Sequence, residues 1–105
     1  MLEKDIEKKL HDRVKDLKCG ALCLKFVSPG YNGVPDRMIL LPGAKVIFAE
    51  TKKPGKKERA RQEYVQAIFR NLGFEVYSTV DNPNYVNDII ERCKEVVEIE
   101  GFYTS

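Results

Sequence analysis

The segment from Ala44 to Lys52 constrains this chain more than any other. It reads Ala-Lys-Val-Ile-Phe-Ala-Glu-Thr-Lys, an apolar run of strand length that ends in an acid and a base. Side chains two apart in a strand share a face, so Glu50 and Lys52 fall with Val46 and Phe48, and Ile47, Ala49 and Thr51 fall on the other side. Burying an unpaired charge is costly, so such a strand carries its chemistry at one end. Pro42-Gly43 just ahead reads as a turn, and Asp36 to Leu41 before it as a second strand. In a hairpin turning at Pro42-Gly43, Asp36 lies opposite the end of its partner, near Glu50. Two carboxylates and a lysine are therefore expected to converge on one sheet face.

The remaining periodicities build a layered domain around this hairpin. Leu2, Ile6, Leu10, Val14 and Leu17 recur every three or four residues, which predicts an amphipathic helix over 2–18 stopped by Gly20. Residues 21–27 predict a strand, and 28–33 a Gly-Pro-Asn loop. Val34 precedes Pro35 and is biased towards extended geometry. After Pro54-Gly55, a helix is expected over 58–72, with Tyr64, Val65, Ile68, Phe69 and Leu72 as its apolar face and Gly73 as its stop. Residues 74–79 predict a fourth strand. Asn82-Pro83 reads as an N-cap with proline at the first helical position, opening a helix to about Val97 whose Val86, Ile89, Ile90, Cys93 and Val97 face inward. Residues 101–105 read as a tail. The order αβββαβα implies an α/β fold, a mixed central sheet flanked by helices. With 105 residues, 1–105 is expected to be one domain with one core.

Charge is distributed unevenly. The net charge is only +2, but Lys52, Lys53, Lys56, Lys57, Arg59 and Arg61 crowd into 52–61 against the single acid Glu58, whereas 81–100 holds six acids against Arg92 and Lys94. A cationic stripe beside Glu50 and Lys52 suits a polyanion. Three cysteines without a C-x-x-C pair, and one histidine, give poor support for zinc. Cys23 and Cys93 are expected as reduced core residues, with Cys19 partly exposed near a helix end. No apolar stretch approaches membrane-spanning length and the N-terminus does not read as a signal peptide, so no membrane partner and a reducing cytoplasm are expected.

Asp36, Glu50 and a backbone carbonyl, with Thr51 the expected donor, make a hard oxygen site of the kind Mg²⁺ or Mn²⁺ prefers. Such an ion polarises a phosphate oxygen and acidifies bound water. Lys52 could hold that water or offset charge in the transition state. Arg37 suits either a phosphate contact or a surface ion pair. Lys53, Lys56, Lys57, Arg59 and Arg61 are expected to position a phosphodiester polyanion through its phosphates. Few aromatics interleave with this stretch, so base stacking is not expected from it.

Gly33-Val34-Pro35-Asp36, Pro42-Gly43, Phe48-Ala49-Glu50-Thr51-Lys52-Lys53-Pro54-Gly55, Gln62 and Leu72-Gly73-Phe74-Glu75-Val76 together resemble the VRR-Nuc domain of the PD-(D/E)XK superfamily. The resemblance spans roughly residues 3–80. It implies a restriction-endonuclease-like fold and metal-dependent phosphodiester hydrolysis. Asp36 and Glu50 match the family's metal-binding acids, Lys52 its catalytic lysine and Gln62 its glutamine after the core. Glu3 matches the acid of the N-terminal helix, with Glu7, one turn on, as the alternative.

The resemblance further implies a stand-alone viral type, a bacteriophage or prophage protein of the host cytoplasm, similar to homodimeric Holliday-junction resolvases. Symmetry agrees, since two matched cuts in a four-way junction need two sites and a C2 dimer supplies both. The apolar face of the last helix is expected to be shared between core and dimer contact. Rival readings are a flap, nicking or restriction-type endonuclease, and a catalytically silent DNA-binding module.

Overall fold

The computed structural model describes residues 2–99. The final-tail expectation for 101–105 lies outside the described residues. The element order is that of the sequence reading: α1 (Glu3–Lys15), β1 (Leu22–Lys25), β2 (Arg37–Leu41), a 3₁₀ turn (Pro42–Ala44), β3 (Lys45–Thr51), α2 (Ala60–Asn71), β4 (Glu75–Val80) and α3 (Pro83–Ile99). The four strands lie in the order β1-β2-β3-β4. The pairs β1–β2 and β2–β3 are antiparallel, and β3–β4 is parallel, with α2 in the crossover. A parallel neighbour requires such a crossover.

The α1 and α3 helices cover one sheet face. Ile6, Leu10 and Val14 of α1 and Val86, Ile89, Ile90, Cys93 and Val97 of α3 bury against Ile39, Ile47, Ala49 and Val80 of the sheet. Each fully buried aliphatic side chain here contributes roughly 1.5–3 kcal/mol. Every predicted inward residue of α3 is thus spent on the core, and Val96 with them, so this face is not shared with a dimer contact. Asn82 caps α3 by accepting from the Tyr85 amide at 2.9 Å, as its Asn-Pro pair implied. Arg92 ties α3 to β4 through Glu75 at 2.6 Å.

The other face carries only α2. Phe69 meets Phe48 of β3 edge-on with ring centroids 4.9 Å apart, and Phe26 and Phe74 complete the group. The α2 face differs from expectation. Val65 and Gln66 are the buried residues, whereas Tyr64 and Leu72 are 59% and 70% exposed. One helix on a four-stranded face leaves flank positions in solvent, and the edge strand β1 also keeps Leu22 and Leu24 exposed.

The end of α1 departs from the sequence reading. α1 stops at Lys15 rather than 18, because the chain turns at once and Lys18 takes a left-handed φ of 54° before Gly20. Cys19 is consequently buried rather than partly exposed. Burial pushes the thiols of Cys23 and Cys93 up to about 11 and about 12, which keeps both protonated at neutral pH. No helix among the described residues is long and apolar enough to cross a membrane.

Candidate active site

The β2–β3 register pairs Arg37 with Ala49, which sets Asp36 across from Glu50 as the Pro-Gly turn implied. The Asp36 amide donates to Glu50 Oε2 at 2.9 Å. Their carboxylates nevertheless part company. Asp36 accepts from the Thr51 amide at 2.9 Å and from the Thr51 hydroxyl at 2.5 Å, on the side covered by α1. Glu50 instead turns towards α2, where Gln62 Nε2 donates to its Oε1 at 2.9 Å. The site therefore wraps the end of β3 from both sheet faces instead of gathering on one. Asp36 sits in a bend just before β2 begins, so strict strand alternation does not bind its side chain.

On the α1 side, carboxylate oxygens of Glu3, Glu7 and Asp36 all lie within 4.8 Å of one another. Glu3 and Glu7 stand one helical turn apart, so both alternatives for the helix acid reach the site. Glu7 also pairs with Arg37 at 2.7 Å and lies 3.3 Å from the Thr51 hydroxyl. Arg37 is accordingly a largely buried partner of Glu7, not a surface ion pair. It was the Thr51 carbonyl that the sequence singled out, yet the amide and hydroxyl of Thr51 are what hold Asp36.

On the α2 side, Gln62 is the hub. It sits at the third helical position, where its Oε1 accepts from the Arg59 amide at 3.0 Å and from Lys52 Nζ at 2.9 Å. Its amide nitrogen holds Glu50. Lys52 Nζ is itself 3.4 Å from Glu50 Oε1. Burial, then the charge of Asp36, pushes the Glu50 carboxyl up to about 7, and Lys52 only partly offsets this. Burial likewise raises Asp36.

Two further positions hold the frame. Gly33 has φ 94°, and a Cβ there would sit 2.9 Å from Arg61 Cγ and 3.0 Å from the Arg61 carbonyl. Only glycine lets the loop before Asp36 press against α2 in this conformation. At β4, Ala49 pairs with Tyr77 but Thr51 with Val80, so one extra residue bulges out beside the site. Thr79 takes φ 56° there, an outlier for a β-branched residue. Glu58 Oε1 accepts from the Thr79 amide at 2.8 Å and from its hydroxyl at 3.1 Å. Past the bulge, the Lys52 amide donates to the Val80 carbonyl at 2.9 Å. The sequence reading passed over Glu58, whose signal was being the lone acid in a cationic run.

Lys53, Lys56, Lys57 and Arg59 line a hollow of about 610 Å³ together with Lys52 and Glu3, so the cationic loop reaches the acids through Glu3. Arg61 is held apart from them. Its Nε donates to the Asn32 carbonyl at 2.9 Å, and its guanidinium lies over the rings of Tyr31 and Tyr64. A second hollow of about 440 Å³, lined by Lys4, Lys8, Lys25 and Arg37, borders Glu7 on the opposite flank.

The donor set suits a hard divalent cation. Glu3, Glu7 and Asp36 offer only carboxylate oxygens at converging positions. Burial is the main reason that the Glu50 and Asp36 carboxyls are raised, so holding them ionised is costly without a further cation.

No protein-family model matches the chain. It is 46% identical over 74 residues to a protein of Acyrthosiphon pisum secondary endosymbiont phage 1 described as "Putative nuclease p44", a match covering 70% of this chain and 77% of that relative. A solved structure described as "VRR_NUC domain" superposes with a TM-score of 0.75 at 26% identity, over 87% of this chain and 97% of the other. The four-stranded mixed sheet and its flanking helices match the fold of that solved structure, and with the phage relative beside it the chain belongs to the VRR-Nuc family of nucleases.

Proposed function

We propose that this chain is a divalent-metal-dependent, structure-selective endodeoxyribonuclease that cuts branched DNA, most specifically a homodimeric four-way-junction resolvase. The observation that carries the reading is the Gln62 bridge, which holds Glu50 and Lys52 together at the mouth of a lysine-lined hollow beside the Glu3, Glu7 and Asp36 acids. An acidic centre ringed by lysines is poor equipment for binding alone, since the acids repel phosphate. It is good equipment for hydrolysing it.

Asp36, with Glu3 or Glu7 and Glu50, would hold Mg²⁺ or Mn²⁺, and the Thr51 carbonyl remains the proposed backbone donor. Such an ion, when bound, supplies Lewis acidity to a phosphate oxygen and acidifies water. The chain's own residues do the rest. Lys53, Lys56, Lys57 and Arg59 seat the phosphates. Lys52 places an ammonium against the charge that builds in the transition state, and Gln62 fixes where that ammonium points. Burial raises the Glu50 carboxyl, and a bound cation would offset that cost of ionising it. Arg37 acts through Glu7 rather than on a phosphate.

Paired symmetric cuts would need a second copy. Support for a dimer comes from that requirement and from the exposed Leu22 and Leu24 of the edge strand, since Val86, Ile89, Ile90, Cys93 and Val97 of α3 are used in the core.

The test is to incubate the protein with labelled four-way junction, flap and linear duplex, each with and without Mg²⁺ or Mn²⁺. Paired nicks confined to the junction and dependent on metal are expected. Cutting of flaps or linear duplex instead would select the flap, nicking or restriction-type reading. Binding without any cutting would leave only a silent DNA-binding module.

A further inference from the structure

Arg61 and the two tyrosines around it are not used by the chemistry. Tyr31, in the loop after β1, is 41% exposed, and Tyr64, on α2, is 59% exposed. The Arg61 guanidinium carbon lies 4.9 Å from the Tyr31 ring centroid and 5.5 Å from that of Tyr64. Three planar groups thus collect on the surface from two separate elements. The bond from Arg61 to the Asn32 carbonyl and the glycine at position 33 hold the loop in place to make this possible.

Their position matters more than their contact. Asn32, Gly33, Arg59, Arg61 and Gln62 line one hollow of about 310 Å³. Gln62 in turn bonds Glu50 and Lys52. Arg61, which carries the aromatic pair, therefore lines the same hollow as the residue that holds the candidate reacting centre together. In an intact duplex every base is already stacked and offers no free π-face. A base displaced at a branch or bulge does, and stacking on tyrosine or on an arginine plane accepts any base without reading its edge.

We propose that Tyr31, Arg61 and Tyr64 form a stacking platform for an unpaired nucleobase next to the phosphate to be cut, so that the absence of pairing is what the site reads. This rests on the nuclease reading above and adds to it a source of structure selectivity. The cationic stretch itself carries no sign of stacking, and the platform draws one of its rings, Tyr31, from the loop after β1 and the other, Tyr64, from α2.

The test compares binding to a short labelled duplex and to the same duplex carrying a central bulge with a fluorescent purine analogue, both in metal-free buffer. Wild-type protein is expected to bind the bulged probe about tenfold more tightly than the duplex and to quench the analogue. Tyr31→Ala/Tyr64→Ala should bring the ratio close to one and remove the quenching. Tyr31→Phe/Tyr64→Phe, which keeps the rings, should retain both. A double alanine variant that keeps the ratio and the quenching overturns the platform. So does a wild-type protein that binds both probes alike without quenching, and in that case the nuclease reading stands. Failure of the wild type to bind the bulged probe, even with Ca²⁺ added to neutralise the acids, overturns the platform, whereas the nuclease reading falls only if no substrate is cut in the presence of Mg²⁺ or Mn²⁺.

Discussion

The main-chain amide of Asp36 donates to the Glu50 carboxylate at 2.9 Å, so one acid of the motif is held by the backbone of the other. Their side chains then diverge, Asp36 to Thr51 and Glu50 to Gln62. The two halves of the site are coupled through two peptide groups at the strand end, the Asp36 amide to Glu50 and the Thr51 amide to Asp36. Perturbing either acid's backbone should disturb both.

Lys52→Ala should lower the cleavage rate by about 10²–10⁴-fold while leaving DNA affinity near wild type, because its ammonium acts on charge that develops only in the transition state. Gln62→Ala should cost roughly tenfold, since it orients Lys52 and Glu50 without touching the reacting phosphate. Single-turnover rates beside binding isotherms measure both. An unchanged rate for Lys52→Ala would remove it from the site.

Stability should fall as pH rises. The Glu50 carboxyl is pushed up from 4.5 to about 7 in the folded protein. Between those values the native state holds a proton that the unfolded chain has released, so raising the pH through this window destabilises the fold. The raised Asp36 acts in the same direction. Glu50→Gln, which stays neutral, should gain about 1–2 kcal/mol near pH 8 and about nothing near pH 4. Urea melts across the range would expose the opposite slope if the sign is wrong.

Gly33→Ala should destabilise by about 2 kcal/mol, because the added methyl meets the Arg61 backbone and the φ of 94° is strained for alanine. Gly20→Ala is the internal comparison. Its φ is 81° but nothing lies within 4 Å of the added carbon, so it should lose only about 1 kcal/mol. Equal losses at the two positions would mean that the contact with α2 is unimportant.

Glu58→Ala should cost about 1–3 kcal/mol by leaving the strained Thr79 amide without its acceptor. It should also slow cleavage, because the adjoining Val80 carbonyl holds the Lys52 amide. Adding Thr79→Gly should restore part of the stability, as glycine takes positive φ without strain. Thermal melts of the single and double variants decide this.

Much of this was legible in the sequence, for reasons of period and punctuation. The apolar run into Glu50 and Lys52, and the Pro42-Gly43 turn, were enough to set Asp36 opposite Glu50, since register follows from turn position. Gln62 was reached only through the family resemblance. What stayed hidden depends on packing between distant segments. Nothing local tells that Glu7 will meet Arg37, or that Tyr31 and Tyr64 will share Arg61. Thr79 gives no sign of its left-handed backbone, because β-branched residues ordinarily avoid it. The α2 face was misread because its apolar residues span more of the helix than the sheet can cover, and only the assembled sheet decides that Tyr64 stays outside while Gln66 goes in.

The bond from the Lys52 amide to the Val80 carbonyl closes the parallel pairing of β3 with β4 across the whole of α2. Such non-local pairing forms late, after the loop-closing entropy has been met. The β2–β3 hairpin alone sets Asp36 opposite Glu50, whereas the main chain of Lys52 is anchored by a strand on the far side of α2. A chain interrupted ahead of β4 would therefore keep its two acids in register and lose the backbone anchor of its lysine.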